Sequence, residues 1–162
     1  MNNQDEMTRK AVLIADDDPE DTEAIKRVLV QANVLNPIRC VSDGAEAISY
    51  LSGEGPYADR TEYPHPALLL LDLAMPRKTG LEVLAWLRKS PAPEHKVMGK
   101  IVLTGIGRTE QIHQAYQSGA HSFLIKPLRI EDFANLLNAL RGLRFVSEGQ
   151  GSLLSFGEVL AK

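Results

Sequence analysis

A chain of 162 residues, 44% hydrophobic and 24% charged, has the length of one ordinary domain and enough apolar content to bury a core, which excludes a disordered protein. A net charge of −3 leaves no basic excess for phosphates, which excludes a nucleic-acid-binding module. The single cysteine, Cys40, rules out an intramolecular disulfide; with a polar N-terminus and no apolar run near the roughly 20 residues of a membrane span, a cytoplasmic protein without membrane contact is expected.

Residues 11–15 (AVLIA) are a short apolar run that ends in three acids, Asp16, Asp17 and Asp18. Asp18 followed by Pro19 is a helix N-cap with proline at the first helical position. Ala24, Ile25, Val28 and Leu29 continue it at helix spacing over 20–32. A weaker run, 37–41, leads through the turn signal Asp43-Gly44 to a helical pattern over 45–51. Residues 53–66 (GEGPYADRTEYPHP) are long for a helix-to-strand loop. The strongest apolar run, 67–71, ends at Asp72. Thr79 caps a helix over 81–87, and the run 101–103 ends at Thr104. Thr109 is read as the cap of a helix over 110–117, with Gly119 as its stop. The run 122–125 ends at Lys126, and helix spacing of Phe133, Leu137 and Leu140 extends a last helix over 130–145.

Five apolar strands alternating with five helices predict an α/β fold, a doubly wound five-stranded parallel sheet. Residues 1–10 are a lead-in, 11–146 the domain, and 147–162 a tail that could serve assembly. The functional edge of such a sheet lies at the carboxyl ends of its strands. There this chain places Asp16 and Asp17, Asp72, Thr104 and Lys126, one polar group or pair after each of four apolar strands. Converging carboxylates repel one another, and a hard divalent cation with oxygen ligands, Mg²⁺, resolves the conflict. Lys126 and Thr104 add a positive charge and a hydroxyl donor. The set suits a phosphoryl group, with a carboxylate as nucleophile. The four histidines show no metal spacing.

From Ala11 to Phe145 the chain resembles a response-regulator receiver domain of two-component signalling. The resemblance rests on Val-Leu-Ile-Ala-Asp16-Asp17-Asp18-Pro, Leu-Leu-Leu-Asp72-Leu-Ala-Met-Pro76-Arg-Lys-Thr-Gly80, Ile-Val-Leu-Thr104-Gly105 and Gly119-Ala-His-Ser-Phe123-Leu-Ile-Lys126-Pro127. It implies the flavodoxin-like strand order 2-1-3-4-5. It also implies Asp72 as phosphoacceptor, Mg²⁺ held by Asp16, Asp17, Asp72 and the backbone carbonyl of Ala74, and phosphate contacts from Thr104 and Lys126. Phe123 takes the aromatic switch position that moves with Thr104, and the Lys126–Pro127 bond is expected to be cis. The loop 53–66 and the spacing between Ser90 and Lys100 resemble the stand-alone receivers that serve bacterial phytochrome histidine kinases.

The resemblance implies a signalling module and no enzyme, phosphorylated by a sensor histidine kinase or a phosphotransfer protein. With no output domain expected, the signal passes through partner contacts or a homodimer. Candidate surfaces are the last helix (Leu136, Leu143 and Phe145), the face of the fourth helix, fifth strand and fifth helix, and the C-terminal tail; the alternative for the tail is folding onto its own domain. Two other functions are compatible with the pattern. One is a phosphorylation-independent adaptor with the same fold. The other is a small haloacid-dehalogenase-type phosphatase with Asp16 as nucleophile and Asp18 as acid, opposed by Glu20 where a threonine or valine is required.

Overall fold

The computed structural model describes residues 10–105, 108–140, 142–149 and 151–156. Five strands form one parallel sheet: β1 Ala11–Ala15, β2 Ile38–Val41, β3 Pro66–Asp72, β4 Gly99–Thr104 and β5 Ser122–Ile125. Their order is β2-β1-β3-β4-β5, as expected. Helices α1 Pro19–Gln31, α2 Gly44–Ser52, α3 Gly80–Lys89, α4 Thr109–Gln117 and α5 Ile130–Ala139 cross between them.

The continuous apolar runs follow from burial on both faces. Along β3, Leu68 and Leu70 pack with α1 and α5 residues, and Leu69 and Leu71 with α2 and α3 residues. The period-2 alternation of strand side chains thus divides the leucines of β3 between the two cores, and every residue of β1 and β3 is buried. Burying a leucine contributes about 1.5–3 kcal/mol, so the two central strands anchor the fold.

The helix starts carry their sequence signals with one exception. Asp18, Asp43 and Thr79 each accept a backbone N–H of the first turn with their side chains. Thr109, expected as a cap, is instead the first residue of α4, and Arg108 precedes it without a side-chain cap bond. Asp43-Gly44, expected only as a turn, opens α2. Glu46 reaches back to the backbone N–H and hydroxyl of Ser42, close to a capping-box arrangement. Gly44 is required by close approach, because a Cβ there would stand 2.0 Å from the Lys78 carbonyl oxygen.

The C-terminal part departs from expectation. The last helix stops at Ala139, not at 145, and Gly142 at φ 87° lies just beyond it. Residues Leu143–Glu148 (β6) and Gly151–Phe156 (β7) form an antiparallel hairpin, with Gly149 at φ 60° in its tight turn. Leu143 and Phe145 therefore lie on a strand, and Leu136 is buried in its own core, so these three do not form a spare helix face. The hairpin straddles position 146. Its strand β7 docks at the amino-terminal edge of the sheet: Leu153, Leu154 and Phe156 are buried. Leu35 donates to the Ser152 carbonyl, and Ser152 to that of Asn33. The buried Asn36 amide clamps Leu154 from both sides, accepting from its N–H at 2.7 Å and donating to its carbonyl at 3.0 Å. Residues 151–156 thus fold onto their own domain.

No helix among the described residues is long and apolar enough to cross a membrane.

Candidate functional site

The carboxyl edge of the sheet gathers the polar residues that end the apolar strands. β1 delivers Asp16, buried, whose backbone N–H donates to the Val41 carbonyl. Its Oδ1 accepts the Asp18 N–H at 2.9 Å, fixing the turn into α1. Asp17, next along, is exposed. β3 delivers Asp72, only 6% exposed, with Oδ1 accepting the Ala74 N–H at 3.2 Å. One carboxylate oxygen from each of Asp16, Asp17 and Asp72 lies within 4.8 Å of the others. That donor set, all hard oxygen, fits a divalent cation such as Mg²⁺.

α3 comes close enough to build this edge because its first residue is glycine. Gly80 donates to the Leu73 carbonyl at 3.0 Å, and a Cβ there would stand 2.4 Å from the Asp72 carbonyl oxygen. β4 delivers Thr104, buried, with its hydroxyl 3.4 Å from the Gly105 carbonyl. Lys126 follows β5, its backbone N–H held by the Thr104 carbonyl at 2.8 Å, and the Lys126–Pro127 bond is cis.

The Lys126 ammonium is the charge hub. Nζ lies 2.9 Å from Asp16 Oδ2, 2.9 Å from Asp21 Oδ2 and 3.3 Å from Asp72 Oδ2. Burial on its own lowers the ammonium's pKa, but the hydrogen bonds to Asp21 and Asp16 and the Asp72 charge outweigh it and raise it above the ordinary lysine value. Lys126 therefore stays charged. Burial pushes the Asp72 carboxyl above the usual carboxylate range, opposed by the Ala74 N–H and by Lys126. Asp72, Ala74, Thr104 and Lys126 line one crevice of about 300 Å³.

Phe123 is half-buried on β5, edge-on to Tyr116 with centroids 6.2 Å apart. Register pairs Val102 with Phe123 and Thr104 with Ile125, so Thr104 and Phe123 share one face of the sheet. Three crevice residues lay beyond sequence reasoning: Asp21, Arg108 and Gln111. Asp21 was legible as a first-turn acid of α1 but not as a partner of a lysine 105 residues away. Asp18 is exposed, and its Oδ1 accepts the Glu20 N–H at 2.8 Å, the N-cap role expected of it.

The chain is similar to known proteins in both sequence and fold. A family model described as "Response regulator receiver domain" matches residues 12–138. Response regulator Rcp1 of Synechocystis sp. is 27% identical over 131 residues, covering 81% of this chain and 86% of Rcp1. The Mn²⁺-bound Rcp1 structure superposes with a TM-score of 0.65 at 27% identity over 79% of this chain and 88% of that one. The bacteriophytochrome response regulator RtBRR gives a TM-score of 0.75 at 30% identity, over 87% of this chain and 82% of that one. The phosphorylated cyanobacterial phytochrome response regulator RcpA gives 0.66 at 29% identity, over 79% and 88%. These relatives are response regulators, that is, signalling proteins.

Proposed function

The chain belongs to the response regulator receiver domain family, and on that footing we propose that it is a phosphoacceptor of a two-component phosphorelay, phosphorylated on Asp72 by a histidine kinase or a phosphotransfer protein. The observation that carries this reading is the meeting of Asp16, Asp17 and Asp72 within 4.8 Å beside the Lys126 ammonium. A phosphorylation-independent adaptor has no need to confine that many charges in one crevice.

Asp72 is the nucleophile. Its oxygen attacks the phosphorus of a phosphohistidine, the P–N bond breaks, and the imidazole leaves with the bonding electrons and takes up a proton. The Ala74 N–H and the Lys126 ammonium favour the ionised carboxylate that this attack needs. Lys126 and the Thr104 hydroxyl then bind oxygens of the new acyl phosphate. Asp16, Asp17, Asp72 and the Ala74 carbonyl would hold Mg²⁺, which when bound would supply positive charge to offset the carboxylates and the phosphoryl oxygens. The Mn²⁺ bound by Rcp1 supports a divalent cation, and the phosphorylated state of RcpA supports the acceptor role. Likeness to RtBRR supports a kinase of the bacteriophytochrome type.

Output goes through the face of α4, β5 and α5, where Tyr116 and Ile125 are 45% and 43% exposed beside the half-buried Phe123. Phosphorylation couples Thr104 and Phe123 to that face and changes its contacts with a partner or a second copy. The test is incubation with acetyl phosphate and Mg²⁺, read by intact mass. The expected adduct is a single alkali-labile phosphoryl group that Asp72→Asn abolishes and that chelation of Mg²⁺ suppresses. An adduct that persists in Asp72→Asn overturns the assignment.

A further inference from the structure

The phosphoacceptor chemistry above uses Asp16, Asp17, Asp72, Thr104 and Lys126 and leaves Asp21 without a part. Yet Asp21 holds the Lys126 ammonium as closely as Asp16 does, at 2.9 Å. It is the third residue of α1, so its carboxylate crosses from the first helical turn to the end of β5.

An ammonium has three donors, and Asp16, Asp21 and Asp72 surround this one. The Lys126 side chain is only 18% exposed, so water cannot readily replace a lost partner. The three carboxylates are not equivalent. Asp16 and Asp72 also converge with Asp17 into the cation-binding group, whereas Asp21 stands outside it. A cation that engages Asp16 shares that carboxylate with Lys126 and weakens its hold on the ammonium. Stripping a half-buried ammonium of its anion is unfavourable, so Lys126 competes with the cation for Asp16 unless another anion stays with it. Asp21 is that anion.

We infer that Asp21 is a positioning residue: it keeps the Lys126 ammonium beside Asp72 while releasing Asp16 to a divalent cation. The inference rests on the phosphoacceptor reading and deepens it. A plainer role exists for an acid in a first helical turn, stabilising the helix N-terminus, and the experiment must separate the two.

The experiment is calorimetric titration of Mg²⁺ alone into the full chain and its variants. Asp21→Asn is expected to weaken Mg²⁺ about tenfold, the scale of lost outer-shell support at metal sites. Asp21→Glu, which restores the anion, should recover most of that roughly tenfold loss. With Lys126→Met in place (or Lys126→Gln, should the first fail to fold), Asp21→Asn should change affinity by less than about twofold, because no ammonium remains to be held. Unchanged Mg²⁺ affinity in Asp21→Asn, with only a lowered melting temperature, overturns the inference in favour of helix stabilisation. Equal weakening with and without Lys126 overturns it in favour of direct charge on the cation. Absence of Mg²⁺ binding by the original chain strikes the phosphoacceptor reading itself, takes this inference with it, and is visible before any variant is made.

Discussion

Acidification from about pH 7 to about pH 5 should destabilise this protein through His121, which ties β4, β5 and the C-terminal hairpin together. Its Nδ1 accepts the Lys100 backbone N–H at 3.0 Å, and its ring packs against Phe156 with centroids 4.5 Å apart and planes tilted by 47°. Burial, aided by the Lys100 charge, lowers its pKa from 6.5 to about 4. The folded state thus prefers the neutral ring. Stability from this group is fully present above the unfolded value and is lost as pH falls toward the folded one, because the unfolded chain binds the proton first. Between the two pH values the linkage relation gives a loss of ~2 kcal/mol for a fully shielded ring. The ring is only partly buried, and solvent screening trims this to ~1 kcal/mol. With a urea slope of about 2 kcal/mol/M, the unfolding midpoint falls by ~0.5 M. The assay is urea unfolding at both pH values for the original chain and for His121→Asn, whose Oδ1 can replace the Nδ1 acceptor without titrating. The variant loses the ring packing and starts less stable, but its stability should differ between the two pH values by ~1 kcal/mol less than that of the original chain. His65 and Asp72 also titrate abnormally, and their effects cancel in the comparison. An identical pH difference in both proteins refutes the reasoning.

Asn36→Leu should destabilise by about 2–3 kcal/mol, because it orphans the buried N–H and carbonyl of Leu154; urea unfolding with amide exchange of residues 151–156 measures it. Gly80→Ala should cost about 1–3 kcal/mol, since its methyl collides with the backbone at Asp72, and it should also weaken Mg²⁺ in the same titration described for Asp21. Lys126→Met should lower stability by about 3 kcal/mol in chelator, leaving Asp16 and Asp72 facing each other unrelieved. Millimolar Mg²⁺ should recover much of that loss in thermal melts. Tyr57→Phe removes the 2.5 Å hydrogen bond to Glu46 and should cost about 1 kcal/mol in the same melts.

Sequence alone determined the sheet and most of the candidate site. Strands β1 and β3 were legible because a strand buried on both faces must be apolar at every position, and the polar residue that follows marks its end. The start of α1 was legible because Asp18-Pro19 is local chemistry. Asp16, Asp17, Asp72, Thr104 and Lys126 were legible together, since strand–helix alternation already places all strand ends on one edge. Tertiary structure decided what depends on partners distant in the chain. The apolar residues after Ala139 fit a helical period as well as a strand period. Only docking of β7 on Asn33, Asn36 and the sheet edge selected the hairpin, although Gly142 and Gly149 were local hints. By position Asp21 is a first-turn acid of α1, and only the tertiary fold brought it to Lys126. The net charge of −3 carried the same division. As a sum it offered no basic excess for phosphates; the fold then concentrated Asp16, Asp21 and Asp72 around the Lys126 ammonium, because the ends of β1, β3 and β5 and the first turn of α1 meet at that edge.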